Sequence, residues 1–527
     1  MPASRFLRTV CFWPGQMKGH IERYTIPPFE FRSPATAPLA AWKLSPQGNA
    51  AVKRSLLFGA TMFAFVSLAH AAPENQVAYR QPVIAFTHAT IVDGTGGAPA
   101  YDQTLVIDKG RIAELGPASG TAVPAGATVI DAHGKTLLPG FVMMHEHLFY
   151  TTGNFGGPPF VYYTPMPYSF PPLYLAGGET TIRTTGSMMP YADVNVRNDI
   201  EAGKRIGPDI DVTGPYLNGA ESLTEDMHVL ADAADATRTV DYWAGEGVTS
   251  FKAYDHITRA ELKAAIDAAH AHHDKITGHL CSVTYREAAD LGIDNLEHGF
   301  FVASDFVKGK QPDECPGYTA TFAAAAGLDP GSPAVESLIK LLVAKHVALT
   351  STLAVFETGV AGQPEAPQAA LALLNPSLRE HYEKMWLIRR TQKTPFISEA
   401  VFHKLGKLEK RFVEAGGLLM GGSDPTGYGG VIPGFSSKRE LELLVQVDGF
   451  TVPQAVEILS LNAAKFEGRE KEIGSLAVGK RADIVVIDGD PVKDVTAVEH
   501  MPLVFKDGIG YDTAAIFKSM QGQIGMN

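Results

Sequence analysis

Residues 139–147 have the sequence Pro-Gly-Phe-Val-Met-Met-His-Glu-His, in which an apolar run ends in two histidines on either side of one glutamate. In a β-strand, side chains at positions i and i+2 lie on the same face, so both imidazoles would point the same way from the strand's C-terminal end. Two such imidazoles are suitable ligands for one metal ion. Taken alone the motif is weak, because two polar residues at a strand end are the ordinary alternative.

Strands and helices alternate along the part of the chain that follows. Apolar runs predict eight strands, at 141–145, 180–184, 209–213, 248–253, 276–280, 295–299, 347–352 and 418–423. Helical signals lie between them; Thr258 and Glu261, for example, form a capping box before a run of helical periodicity. Alternation of this kind predicts a parallel sheet, and eight βα units close into a TIM barrel. We therefore expect an α/β fold with a (β/α)8 barrel.

Both ends of the chain have the pattern of short β-strands. Gly-rich turns separate apolar or β-branched runs within 78–138, and a similar pattern returns after residue 473, closing with a hairpin at 503–511. We expect a small β-sandwich built from 72–138 and 467–527, with the barrel, 139–466, inserted between its two parts. Segments 148–174 and 301–400 exceed a minimal barrel, and long barrel loops are often lids or pocket walls. The first segment is rich in aromatic residues, namely Phe160, Tyr162, Tyr163, Tyr168 and Phe170.

The N-terminal part predicts export. Lys53 and Arg54 precede an apolar run at 56–68 and the small residues around His70, which is the pattern of a secretory signal peptide cleaved after Ala71. The run is too short to span a membrane stably, and a buried helix or an anchor is the alternative. We assign 52–71 to a signal peptide and expect a periplasmic or secreted protein. Val52, read from a GTG codon, is a candidate initiator, and residues 1–51 would then be an untranslated leader.

Net charge and cysteine content indicate which partners and cross-links the protein is expected to have. The formal charge is −12, and the lysine and arginine residues are scattered along the sequence. Because they form no basic stripe, we do not expect nucleic acid as a partner. Three cysteines, Cys11, Cys281 and Cys315, are too few for a disulfide framework and match no zinc-binding spacing. A bridge between Cys281 and Cys315 would need an oxidising compartment. The alternative is that Cys281 packs as a small apolar residue.

The active site of a TIM barrel lies at the C-terminal ends of its strands. Applied to the predicted strands, this rule selects His145, His147, Lys252, His279, His298 and Asp424. Each has an ordinary alternative: a surface lysine, histidines of the core, or an aspartate that starts a turn. Their joint position at the ends of separate strands favours a metal site.

This set resembles the ligand pattern of the amidohydrolase superfamily, in its two-metal branch with a carbamylated lysine. That family also has a β-sandwich made from both chain ends, and residues 139–141 and 479–484 are similar to its sandwich–barrel junctions. The resemblance extends from about residue 80 to residue 515. The overall pattern is most similar to the imidazolonepropionase-like group and to the Xaa-Pro and Xaa-Arg dipeptidases.

The resemblance implies a role for each ligand. His145, His147 and Asp424 would hold one divalent ion, His279 and His298 the other, and an N6-carboxylysine at Lys252 would join both. Zinc suits these ligands, with manganese, cobalt and nickel as alternatives. A hydroxide between the metals would attack an amide carbonyl, and Asp424 would move the proton to the leaving nitrogen. We therefore expect a metal-dependent hydrolase of carbon–nitrogen bonds, acting on a peptide, an N-acyl amino acid or a cyclic amide.

Two alternatives stay open: a one-metal deaminase-type or lactonase relative in which Lys252 is idle, and a non-catalytic barrel that binds a ligand at its mouth. A small-molecule or dipeptide-like substrate is expected, and a homo-oligomer stays open. The candidate substrate contacts are Arg183, Tyr285 and Arg286 for a carboxylate and Tyr254 for an oxyanion. A structural ion pair is the alternative for both arginines.

Overall fold

A computed structural model describes residues 74–152, 162–220, 226–391, 395, 397–426 and 430–525. The expected leader at 1–51, the expected signal peptide at 52–71 and Cys11 lie outside the described residues. Within the described ranges, no helix is long and apolar enough to cross a bilayer.

The N-terminal part of the described chain is made of short strands. They are β1 (Val77–Tyr79), β2 (Val83–Ile91), β3 (Ala100–Asp108), β4 (Arg111–Pro117), β5 (Thr128–Asp131) and β6 (Lys135–Pro139). Two of the apolar runs within 78–138 are residues 83–86 and 89–92, which the sequence pattern predicts as separate strands; in the structure Val83–Ile91 forms one strand, β2. His88 has a positive φ of 59°, and the register between β2 and β3 shifts there. The interruption in the sequence pattern is therefore a bulge and not a turn.

All eight predicted barrel strands are present, and the third is divided at Val212. The strands of this region are β7 (Phe141–Met143), β8 (Phe149–Thr152), β9 (Tyr162–Pro165), β10 (Glu179–Arg183), β11 (Asp209–Asp211), β12 (Thr213–Leu217), β13 (Ser250–Ala253), β14 (Lys275–Gly278), β15 (Asn295–Glu297), β16 (Ala348–Ser351) and β17 (Leu419–Gly421). Parallel pairing gives two sheets, β7-β10-β11 and β12 to β17 in chain order. Backbone hydrogen bonds from Ser187 N to Gly214 O (3.1 Å) and from Met144 N to Gly421 O (2.8 Å) join the sheets at both seams. This is the strand order of a TIM barrel.

Helices alternate with these strands along the chain, and a last helix lies near the C-terminus. They are α1 (Phe170–Ala176), α2 (Pro190–Glu201), α3 (Ala233–Gly245), α4 (Arg259–Ala271), α5 (Tyr285–Leu291), α6 (Tyr318–Gly327), α7 (Pro333–Ala344), α8 (Leu353–Glu357), α9 (Gln368–Leu371), α10 (Pro376–Thr391), α11 (Glu399–Glu414), α12 (Ser436–Leu443), α13 (Val452–Ile458), α14 (Leu461–Phe466) and α15 (Thr513–Ser519). The predicted capping box before α4 is confirmed, with the Thr258 hydroxyl accepting from the Glu261 amide. Such caps satisfy amide donors that the first turn leaves unpaired.

The C-terminal strands return to the sheet of β1 to β6. They are β18 (Ile484–Asp488), β19 (Leu503–Lys506) and β20 (Ile509–Asp512), and β19 and β20 form the predicted closing hairpin. The nine-stranded sheet runs β1-β20-β19-β18-β6-β2-β3-β4, with β5 beside β2. Gly140, between β6 and β7, donates its amide to Asp483 O at 2.8 Å, so the sheet is held where the first barrel strand begins.

Candidate metal centre

The predicted ligands converge at the C-terminal ends of the barrel strands. Lys252 lies in β13, and the others follow the ends of β7, β14, β15 and β17. The ligand atoms of His145, His298 and Asp424 lie within 4.8 Å of one another. Five of the six side chains are buried, and His279 is half-buried. A small, largely dry space is therefore surrounded by nitrogen and carboxylate donors.

Two groups of ligands meet at this space. His147 Nε2 lies 3.2 Å from Asp424 Oδ1, and His145 Nε2 lies 3.8 Å from the same oxygen. On the other side, His298 Nε2 lies 2.9 Å from His279 Nδ1. Lys252 Nζ is 3.2 Å from His145 Nε2, so the lysine lies beside the first group. Imidazole nitrogens and a carboxylate gathered this closely are the kind of ligands that coordinate a divalent metal ion.

Each histidine has a second partner for the ring nitrogen that faces away from the centre. Such partners fix the orientation and tautomer of a ligand histidine. The contacts are His145 Nδ1 to Glu297 Oε2 (2.7 Å), His298 Nδ1 to Thr352 Oγ1 (2.7 Å), His147 Nδ1 to Gly186 O (3.3 Å), and His279 Nε2 to the Tyr318 hydroxyl (2.7 Å) and Asp255 Oδ1 (3.4 Å). The nitrogens left for a metal are Nε2 of three rings and Nδ1 of His279.

The backbone is strained at two of the ligands. His298 has a φ of 68° and Asp424 a φ of 51°, values that side-chain-bearing residues rarely adopt. Strain of this kind persists where the surrounding structure determines it and is frequent at functional sites. Gly422 lies against His145, and a Cβ at Gly422 would collide with the histidine's backbone and Cβ. Close approach of the last and first strands therefore requires glycine at this position.

Burial sets the charge state of the ligands. It lowers the pKa of all four histidines, so their rings are neutral and each has one lone pair to offer. Burial also lowers the pKa of Lys252 to about 8, although Glu297 and Asp424 favour its charged form. Burial alone would raise the pKa of Asp424, but His145 and His147 beside it hold that pKa below its ordinary value.

Glu297 is a buried carboxylate that the sequence rule did not select. It accepts hydrogen bonds from His145 Nδ1, from Arg183 Nη2 at 2.8 Å and from the Thr277 hydroxyl. Arg183 also donates to Asn295 Oδ1 at 2.6 Å and is 1% exposed. A charged residue within a predicted strand, directly before His298, was the signal that could have identified Glu297.

The structure does not bring Arg183, Tyr285 or Arg286 to the cavity above the centre. Arg183 is the buried partner of Glu297, which is the structural ion pair given as its alternative. Tyr285 is buried, and its hydroxyl donates to Glu297 O at 2.8 Å and Gly299 O at 3.0 Å. Arg286 lies on α5 and donates to Ser337 on the outer helix α7. A position after a strand end does not by itself aim a side chain into the mouth, because α5 begins there and directs Tyr285 into the protein interior and Arg286 toward α7.

A cavity of about 490 Å³ lies above the ligands. Its inner wall is aromatic, formed by Phe149, Tyr163, Tyr216, Tyr254, Tyr318 and Phe356. Tyr254 therefore lines the cavity, and its contact with a substrate stays a prediction. Within segment 148–174, Phe149 and Tyr163 contribute, whereas Tyr168 is 64% exposed and Phe170 is buried in α1. Phe160 and the side chain of Tyr162 lie outside the described residues.

The outer wall of the cavity comes from the stretch between β16 and β17. Its apolar residues are Val355, Met385, Ile388 and Ile397. Arg389 of α10 lines the same wall. Among the described lining residues, the lysine and arginine side chains are those of Lys252 and Arg389. Sequence reasoning did not select Arg389, because its approach to the site depends on how a long insertion packs.

Cys281 and Cys315 form a disulfide, so Cys281 does not pack as a free apolar residue. Cys281 follows His279 by two positions, and Cys315 precedes Tyr318 by three. The bridge joins the end of β14 to the start of α6.

The chain is similar to known amide-hydrolysing proteins in part of its sequence and in its fold. Residues 378–520 match the Amidohydrolase family. A dihydroorotase of Mycobacterium tuberculosis is 52% identical over 44 residues, which are 8% of this chain and only 10% of that protein. A solved Xaa-Pro dipeptidase with bound methionine in its active site superposes with a TM-score of 0.57 at 18% identity, covering 82% of this chain and all of the other. Bottromycin amidohydrolase gives a TM-score of 0.59 at 19% identity, covering 84% and 91%. The structures share the fold, and the matches together support the amidohydrolase superfamily that the ligand pattern predicted.

Proposed function

We propose that this chain, which carries an amidohydrolase-family domain, hydrolyses an amide C–N bond with two divalent metal ions held at the six converging side chains. The observation that carries the proposal is the orientation of the four histidines. Each directs one ring nitrogen to the shared centre while a fixed partner occupies the other nitrogen. Core histidines with ordinary structural roles have no reason to leave four acceptor nitrogens facing one another.

The residues present fit two ions. His145, His147 and Asp424 would hold one, His279 and His298 the other, and Lys252, as a carbamate formed with carbon dioxide, would supply an oxygen to each. When bound, such ions lower the pKa of a water to about 7 and polarise a substrate carbonyl. Zinc suits this set of nitrogen and carboxylate donors.

The protein's own groups would orient the substrate and move the proton. Asp424 Oδ1 lies at the inner end of the cavity, 3.2 Å from His147 Nε2, where a carboxylate would take a proton from the attacking water. The same oxygen would return the proton to the leaving nitrogen. Tyr254 lines the cavity beside Lys252, with its ring 5.8 Å from Lys252 Nζ, and would donate to the oxygen that becomes negative.

The cavity favours a substrate with one apolar or ring-bearing part and one anionic part. The aromatic inner wall and the apolar outer wall would enclose a hydrophobic group. Arg389 on the outer wall would pair with a carboxylate at the other end of the molecule. Apolar dipeptides and N-acyl amino acids have both features.

We also propose that the protein works outside the cytoplasm. The Cys281–Cys315 disulfide supports this, because disulfides persist in oxidising compartments and are rare in the cytosol. N-terminal sequencing of the exported protein is expected to give Ala72 as the first residue. Recovery of an exported chain that begins at Met1 would contradict the signal-peptide assignment.

The central test counts metal and removes the lysine. Purified protein loaded with Zn²⁺ is expected to hold two ions per chain and to hydrolyse members of a panel of dipeptides and N-acyl amino acids. Lys252→Ala should lose activity by about 100-fold or more, because the shared ligand is gone. A short carboxylic acid added to Lys252→Ala should restore part of the activity by occupying the carbamate's place.

Lys263→Ala, at an exposed position on α4, is the matched control and should behave as the wild type. One ion per chain together with an active Lys252→Ala variant would favour the one-metal alternative. Absence of hydrolysis across amides and lactones by the fully loaded protein would refute the enzyme and favour a binding protein.

A further inference from the structure

A disulfide joins the insertion after β15, in its segment before α6, to the residues that follow β14, next to the candidate ligand His279. The Cys281–Cys315 disulfide closes a loop with a sequence separation of 34 residues. At one end of the loop, Cys281 is 3% exposed and lies two positions after His279. At the other end, Cys315 lies three positions before Tyr318, the first residue of α6.

Tyr318 reaches from this insertion to the side of His279 that faces away from the centre. Its hydroxyl lies 2.7 Å from His279 Nε2 and 3.1 Å from Asp255 Oδ2. A ligand nitrogen needs a free lone pair, so coordination through Nδ1 requires the proton on Nε2. That proton would be held between the Tyr318 oxygen and the Asp255 carboxylate, which fixes the plane and the tautomer of the ring.

Two non-covalent contacts also hold the insertion to neighbouring segments. Asp313 accepts from the Arg259 amide at 2.9 Å and from its guanidinium at 3.0 Å, and Lys310 Nζ donates to Ser282 O at 2.6 Å. The Arg259–Asp313 ion pair is partly exposed, so water competes for it. The disulfide is the contact that connects the strand end of His279 directly to the segment of Tyr318.

We propose that the Cys281–Cys315 disulfide is a positioning cross-link of the metal centre, which holds the Tyr318 hydroxyl on His279 and thereby fixes one metal ligand. The inference rests on the proposed metal site and assigns the cross-link a function at it. The bridge acts through Tyr318 and does not contact the reacting atoms. Protein that lacks the bridge would retain its fold but release metal faster and turn over more slowly.

A phosphine can reduce the Cys281–Cys315 disulfide to two thiols. A water-soluble trialkylphosphine breaks the S–S bond, both sulfurs end as thiols, and the phosphine takes the oxygen of water to become a phosphine oxide. Two electrons pass from phosphorus to the sulfurs, and the two protons come from the water. A phosphine is preferred to a dithiol because dithiols bind zinc.

The test follows zinc itself, independently of any substrate. Protein loaded with Zn²⁺ is mixed with a chromophoric chelator, and the rate of zinc transfer is measured for wild type, Cys281→Ala/Cys315→Ala, Tyr318→Phe and the triple variant. Replacing both cysteines avoids a stray thiol near the metal. We expect each of the two simpler variants to release zinc about ten times faster, since outer partners of metal ligands have effects of this size. The triple variant should be no faster than the faster of the two, because both act through one contact.

Phosphine treatment should give the wild type the release rate of the cysteine variant and leave that variant unchanged. Asp313→Asn is the matched control: it loosens the same insertion but keeps the bridge, so its melting temperature should fall while zinc release stays at the wild-type rate. Effects that multiply in the triple variant would overturn the inference, and so would a cysteine variant that has only a lower melting temperature. A wild type that retains no zinc would instead overturn the metal site itself.

Discussion

Replacing Glu297 by glutamine should weaken both the fold and the metal centre. The carboxylate accepts from His145 Nδ1 at 2.7 Å, from Arg183 Nη2 at 2.8 Å and from the Thr277 hydroxyl, and it is fully buried. An amide has one acceptor oxygen and turns an NH₂ group toward one of these donors. The substitution also leaves the Arg183 guanidinium buried without its counter-charge.

The size of the effect follows from these contacts. Breaking a buried ion pair by removing one partner costs about 3–5 kcal/mol, so Glu297→Gln should lower the free energy of unfolding by that amount. Loss of the partner that orients His145 should weaken zinc binding by about 10- to 100-fold. Urea unfolding of the metal-free protein followed by circular dichroism measures the first quantity. Competition with a chelator of known affinity measures the second.

The double variant Arg183→Met/Glu297→Gln separates the two effects. With neither charge present, most of the stability should return, because no unpaired ion is left in the barrel. Zinc affinity should stay low, since His145 still lacks its carboxylate. A Glu297→Gln variant whose unfolding free energy changes by less than about 1 kcal/mol, with zinc affinity unaltered, would refute the reasoning.

Two further predictions concern the cavity and the pH dependence of stability. Arg389→Ala should raise KM for a carboxylate-bearing substrate by about 10- to 100-fold, with little change in kcat. The control is Arg390→Ala, because Arg390 is exposed on α10 and lies over the Trp386 ring. This control should change KM by less than about twofold. An unchanged KM in steady-state assays of Arg389→Ala would remove that contact from the proposal. Burial raises the pKa of Asp193 from 3.8 to about 7, so the folded state favours the neutral acid. The stability this contributes is fully present below about pH 4 and is lost as pH rises to 7; three pH units correspond to about 4 kcal/mol, and urea titrations of Asp193→Asn should lack this loss.

Most of the barrel strands and the convergence of the six candidate ligands could be predicted from the sequence, because both depend on local pattern. Apolar runs of strand length locate the strands, and the residue after each run locates the mouth of the barrel. Arg183 was predicted to bind a substrate carboxylate, but it lies at the end of β10 and pairs with Glu297. Its partner is far away in the sequence, and no local pattern reports such a pairing.

The remaining site residues lie in segments whose path is set by tertiary contacts. Tyr318 comes from the insertion that the disulfide fixes, and Arg389 comes from a helix that crosses the mouth. Sequence periodicity identifies such helices but not the direction in which they pack. The aromatic content of segment 148–174 did indicate a pocket wall, and Phe149 and Tyr163 line it.

The outer-wall residues Val355, Met385, Ile388, Arg389 and Ile397 all come from the part of the chain between β16 and β17, whereas the candidate ligands lie at the ends of strands that are far apart in the chain. Recombination or a loop graft that exchanges this stretch would therefore transfer substrate choice in a single event. Moving the catalytic chemistry would need coordinated changes at several separate places. Relatives of this protein are thus expected to change their substrate specificity more readily than the reaction they catalyse.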